Sequence, residues 1–221
     1  MKPWELFGIL RSLGYRTVGR NLDYQFHLDH ENRVIYACFE ETCGAIDWKN
    51  NLRFWATRVR PYRGCKWWAH SGHVRVWRSA NDSVIAEIRE TVEKWSRSGR
   101  DSRTGKGGPY ELVFAGFSKG GSMAQLAAED WHFRTGQKCR VIGFGGAKVA
   151  HGKRSVSYLE ACMDLTHYIH RNDIVGRLPP FPGWAHCQRV AWLGPRRGNP
   201  LKIVFGAKTY HQSYGEKGLY E

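Results

Sequence analysis

Residues 113–128 read VFAGFSKGGSMAQLAA, and no other stretch restricts the fold as tightly. An apolar run of strand type meets Gly116-Phe117-Ser118-Lys119-Gly120, and a run of helix formers follows at once. A strand that turns directly into a helix around a serine needs a turn too tight for side chains on its flanks, and the glycines satisfy that need. The hydroxyl then stands above the sheet edge, facing the amide-rich positive end of the helix. The other role for such a serine is to cap the helix, its oxygen accepting a first-turn N–H. Five residues alone do not separate the two; the strand before and the helix after favour a nucleophile.

The rest of the chain supplies the sheet that this turn requires. ELVFAG, CRVIGFGG, LTHYIH, QRVAWLG and LKIVFG are short buried-type strands, and DYQFHL and RVIYACF flank the polar DHEN as a hairpin. PWELFGILRSL opens as a helix, with Pro3 where a first turn tolerates it. SANDSVIAEIRETVEKWSRSG predicts a long helix, with Ser79 and Asp82 as a capping box and Val84, Ile85, Ile88, Val92 and Trp95 on one face. SMAQLAAEDWHFRTG predicts another, closed by Gly136. ETCGAIDWKNNLRFW reads as a loop with a short helix, and GRDSRTGKGG as a polar surface loop. Strands alternating with helices indicate an α/β protein: one domain over 1–221, its mainly parallel sheet covered on both faces.

A formal charge of +14 implies attraction to something anionic, either nucleic acid or an anionic lipid surface. Arginines and lysines are spread along the chain and no nucleic-acid signature appears, so a nucleic-acid-binding module has charge as its only support. The six cysteines include no C-x-x-C pair and no zinc-type Cys/His spacing, so no metal is expected. The opening MKPWELFGILRSLGY has neither the long apolar stretch nor the cleavage site of a signal peptide. This predicts a protein made in the cytoplasm with mostly reduced thiols, with export by another route left open.

A serine hydroxyl needs a base, and the base needs an orienting acid. On α/β-hydrolase sheets the three follow the chain order serine, acid, histidine. Asp173 follows the strand LTHYIH at the end where active residues collect, whereas its rival Asp164 precedes that strand and belongs at the far edge. His186 and His211 are the late histidines; His211, beyond the last strand in a loop-like KTYHQSYG, is the choice.

Several ordered motifs then make the chain resemble the class 3 (fungal-type triacylglycerol) lipases from residue 34 to residue 214. VIYACFEETCGAIDWKNNLRF is similar to the family's strand, oxyanion loop and lid, KWWAHSGHVRVW to its H-x-G-F stretch, and VFAGFSKGGSMAQLAA to its G-H-S-L-G-G-A elbow. VIGFGGAKVA resembles its FG-x-P-[KR]-V strand, and HRNDIVGRLPPFPGWAHCQRVAW its N-D-I-V-x-x-L-P-P segment with the following histidine and tryptophan. The resemblance implies an α/β-hydrolase fold with a short lid, and hydrolysis of lipid esters through an acyl-enzyme without cofactor or metal. It implies Ser118 as nucleophile, Asp173 as acid and His211 as base, with Thr42 and the Lys119 backbone N–H forming the oxyanion hole and His186 structural. Residues 43–52 take the lid position, with Trp48 expected to meet lipid or to lie in the core. A monomer is expected, acting on a glyceride or, in phospholipase A1 fashion, on a phospholipid at an anionic membrane; soluble esters, thioesters and acyl transfer share the triad. The chain departs from the pattern at Glu40 and Glu41 (usually Arg-Gly), Phe117 (usually His) and Lys119 (usually Leu). It also lacks the usual prolines at Gly146-Ala147 and Gly176. Lys119 is expected to face solvent or anionic head groups.

Overall fold

The computed structural model describes residues 1–40, 55–59, 67–97, 108–195 and 207–220. The chain enters through α1 (Pro3–Ser12), with Pro3 in its first turn, and passes through β1 (Arg16–Val18) into β2 (Leu22–Asp29) and β3 (Val34–Phe39). β2 and β3 are antiparallel, with Asp29 opposite Val34, so the polar turn makes the expected hairpin.

Next come β4 (Ala56–Arg58), β5 (Trp68–His70), α2 (Ser71–Arg78) and α3 (Asn81–Arg97). The elbow joins β6 (Glu111–Phe117) to α4 (Lys119–Thr135), which Gly136 closes at φ 73°. β7 (Cys139–Phe144), β8 (Ala150–His151), α5 (Lys153–Cys162), β9 (Met163–His170), β10 (Trp184–Ala185), β11 (Arg189–Leu193) and α6 (Ala207–Gln212) complete the described elements of strand and α-helix.

Among the described residues the main sheet runs β1-β2-β3-β6-β7-β9-β11, antiparallel at the β1–β3 side and parallel from β3 onward. Side chains alternate across it. Ile35, Ala37, Phe39, Leu112 and Phe114 join a core with Val74, Trp77, Ile85 and Leu126 on one face. Val34, Tyr36, Val113, Ala115 and Phe117 join Leu6, Phe7 and Tyr214 on the other. Burial on both faces is what the continuous apolar runs require. Phe7 of α1 makes ring contacts with Phe117 at 5.1 Å, Phe144 at 5.4 Å and Tyr214 at 5.7 Å. A second sheet, β10-β8-β5-β4, is antiparallel and built from strands of two or three residues.

Two local expectations change. The capping box at Ser79 does not form: α3 begins at Asn81, and Ser79 closes α2, its hydroxyl donating to Val76 O and accepting the Arg20 N–H. His211 lies on the short helix α6 rather than in a loop. The predicted strand LKIVFG and the segment ETCGAIDWKNNLRF, which holds Thr42 and Trp48, lie outside the described residues. Among the described residues no helix is long and apolar enough to cross a membrane.

Candidate active site

Ser118 sits between β6 and α4 with φ 55° and ψ −122°, a backbone that a residue with a Cβ rarely adopts. The crossing is close enough to explain both glycines of the motif. A Cβ at Gly116 would lie 2.2 Å from the Gly120 carbonyl, and one at Gly120 would lie 2.1 Å from Phe39 O. The strained turn is held by bonds from Ser118 N–H to Phe144 O (2.8 Å) and from Gly121 N–H to Ser118 O (3.0 Å). The Ser118 side chain makes no capping bond to the helix, so the capping alternative fails.

Asp173 is placed just beyond the C-terminal end of β9 by a turn in which its N–H bonds His170 O at 2.9 Å. Its carboxylate is fully buried and satisfied on both oxygens. Oδ1 accepts the Val175 N–H at 2.9 Å. Oδ2 accepts the Tyr214 hydroxyl at 2.6 Å and lies 2.8 Å from His211 Nδ1. That leaves Nε2 as the imidazole nitrogen available for proton transfer. The His211 ring lies 4.7 Å from the ring of Phe117, the residue before Ser118, so α6 and the elbow meet through that contact. Among the described residues no hydrogen bond joins the Ser118 hydroxyl to the imidazole; such bonds often tighten only with substrate bound.

The rival residues are elsewhere. Asp164 is on the opposite end of β9, exposed, and paired with Lys138 at 2.7 Å. His186 bonds Gly176 O at 2.7 Å through Nε2, and burial pushes its pKa down to about 4. Its ring packs against His167, whose imidazole burial also holds neutral. Four described cysteines, at 38, 139, 162 and 187, are buried thiols outside any disulfide; burial pushes Cys139 and Cys187 up to about 12, which removes them as nucleophiles. Among the described residues no group of His, Cys, Asp and Glu is placed to hold a metal ion.

Two residues stand out from the sequence reading. Tyr214 was not singled out; it is fully buried, donates to Asp173 and accepts the His170 N–H at 3.0 Å. Burial, and then Asp173, raise its pKa well above the ordinary phenol value, so it stays a donor. Lys119 does not face solvent or a lipid surface. Its side chain is 1% exposed, with Nζ 3.0 Å from Asn21 O and 3.8 Å from Asp23 Oδ2. Its backbone opens α4, where first-turn amides have no intrahelical acceptor.

The sequence profile of the lipase (class 3) family matches residues 37–182. The secreted mono- and diacylglycerol lipases A of Penicillium cyclopium and Penicillium camembertii are each 25% identical over 194 residues, which is 85% of this chain and 59% of theirs. The chain therefore spans under two thirds of the length of these curated relatives. Among solved structures, Rhizomucor miehei lipase with its propeptide superposes with a TM-score of 0.67 at 19% identity, covering 82% of this chain and 56% of that one. A triacylglycerol lipase whose catalytic centre is a serine-protease triad gives 0.66 at 19% identity, covering 81% and 64%. These structures share the α/β-hydrolase fold with the chain. The expectation of a cytoplasmic protein does not stand, because the relatives it matches are secreted.

Proposed function

The chain belongs to the class 3 lipase family, and from that premise we propose that it hydrolyses carboxylic esters of lipids with Ser118 as nucleophile, His211 as base and Asp173 as orienting acid. One observation carries the reading: His211 Nδ1 is 2.8 Å from a buried carboxylate, and its ring touches the residue preceding a strained serine. Ser118 Oγ attacks the acyl carbonyl as its proton passes to His211 Nε2, and Asp173 stabilises the imidazolium. The developing oxyanion takes the Lys119 N–H at the positive end of α4, together with Thr42, which the family resemblance supplies. Collapse of the intermediate sends the proton from Nε2 to the departing alkoxide and leaves an acyl-serine. Water, deprotonated by the same nitrogen, then releases the fatty acid. Residues 43–52, with Trp48, are assigned to the lid by the same resemblance.

The Penicillium relatives act on mono- and diacylglycerols, which makes partial glycerides the first substrates to assay. A second reading, an anionic glycerophospholipid surface, is favoured by a cleft of about 400 Å³ lined, among the described residues, by Arg20, Arg75 and Arg78 with Thr57 and Ser71.

Labelling with a fluorophosphonate tests the reaction class. Wild type takes up the probe at Ser118 and Ser118→Ala does not; an unlabelled wild type, or an equally labelled variant, rejects the assignment. Head-group and acyl-chain profiling against soluble esters and thioesters then fixes the substrate.

A further inference from the structure

Lys119 is an expensive residue to bury beside a nucleophile. An ammonium taken out of water is tolerated only when paired and hydrogen-bonded, and the family pattern places an apolar leucine here. Its partners say what it gains. Nζ bonds the carbonyl of Asn21, a residue held at φ 57°, and faces the Asp23 carboxylate at 3.8 Å. That carboxylate is itself buried and accepts the Thr17 hydroxyl on its other oxygen.

Asp23 also reaches the end of β3. Its backbone carbonyl accepts the Glu40 N–H at 3.1 Å, at the end of β3 where the segment leading to Thr42 begins. The start of α4 presses on the same place: a Cβ at Gly120 would meet Phe39 O and Glu40 O. Asp23 therefore grips residue 119 through its side chain and residue 40 through its backbone. Residue 119 carries the proposed oxyanion donor, and residue 40 closes the strand against which α4 starts.

We infer that Lys119 and Asp23 are a positioning pair, which fixes the Lys119 backbone N–H at the start of α4 against the end of β3 at Glu40, so that this donor meets the oxyanion. The inference rests on the active-site reading given above. Neither side chain touches substrate; both act through the backbone of residues 119 and 40. A misplacement of about an ångström at a donor is enough to cost orders of magnitude in rate.

The test is kcat and KM on p-nitrophenyl butyrate, with the rate of fluorophosphonate labelling, for wild type, Lys119→Met, Lys119→Arg, Asp23→Asn and the Asp23→Asn/Lys119→Met double variant. All are assayed well below their melting midpoints. Lys119→Met is expected to lower kcat and the labelling rate by roughly tenfold or more with KM little changed, because a donor lost only in the transition state moves kcat. Lys119→Arg, which keeps a charge, recovers part of kcat, and the double variant falls no further than the worse single one. A folded Lys119→Met with wild-type kcat overturns the inference, however much its melting point drops. If that variant does not fold, Asp23→Asn carries the same expectation and the same refutation. A wild type that fails to label at Ser118 overturns the active-site reading and this inference with it; a wild type that labels, beside a Lys119→Met that labels equally fast, overturns this inference alone.

Discussion

The Tyr214 hydroxyl donates a 2.6 Å hydrogen bond to Asp173 Oδ2, the oxygen that also holds His211 Nδ1. One acceptor thus fixes both the imidazole and the phenol. Tyr214→Phe removes a donor from a buried carboxylate and an acceptor from the His170 N–H. We expect a stability loss of about 1.5–3 kcal/mol, the usual range for a hydrogen bond to a charged group, and a fall in kcat larger than any change in KM. Denaturant melts and steady-state kinetics on the same samples check both; an unchanged kcat would remove Tyr214 from the site.

The elbow glycines Gly116 and Gly120 are closed in by backbone, which cannot swing aside as a flexible side chain can. Gly120→Ala would force a methyl to 2.1 Å from Phe39 O, so loss of folding or of activity is expected, with a destabilisation beyond about 3 kcal/mol. Gly8→Ala in α1 meets nothing within 4 Å and replaces a poor helix former, so it should stabilise by about 0.5–1 kcal/mol. Paired thermal melts read the contrast directly.

Three histidines are kept neutral inside the protein. Burial lowers His73 and His167 well below the usual range and His186 to about 4. In the unfolded chain each takes a proton near about pH 6.5, so below that pH the unfolded state binds more protons. Their contribution is present in full above about pH 6.5 and is lost as pH falls, for His186 down to about pH 4. Each group removes about 1.4 kcal/mol per pH unit in its window. Melting points measured from pH 7 to pH 4.5 should decline, and less steeply for His73→Phe, which installs the residue of the H-x-G-F stretch.

Arg20, Arg75 and Arg78 converge on an open cleft. If it faces anionic lipid, each arginine adds about 1 kcal/mol of attraction, and Arg75→Glu should lower partitioning onto anionic vesicles about tenfold while leaving zwitterionic vesicles unaffected. Added salt should erase the difference. Equal partitioning of wild type onto both vesicle types would retire the phospholipid reading.

What was legible in the sequence was local or ordered. The elbow shows because a strand, two glycines and a helix are consecutive, and Asp173 because it follows a recognisable strand. Tyr214 was not legible: its bond to Asp173 closes over an intervening stretch that no spacing rule covers. Lys119 looked like a surface residue because a helix start usually is one; Asn21 is a residue type that suits its left-handed turn, but nothing local says that its carbonyl meets a lysine 98 positions later. The Ser79 box failed because two helices abut there, and the serine serves the end of the first. β4, β5, β8 and β10 are too short for alternation to announce them.

Phe7 touches Phe117, Phe144 and Tyr214 at once, so a residue from the opening helix lies beneath the serine's strand and the aspartate's tyrosine together. The machinery drawn from the middle and late parts of the chain stands on a footing laid by its earliest part. Dislodging that footing would loosen the elbow and the tyrosine that holds Asp173, and with them the proposed triad.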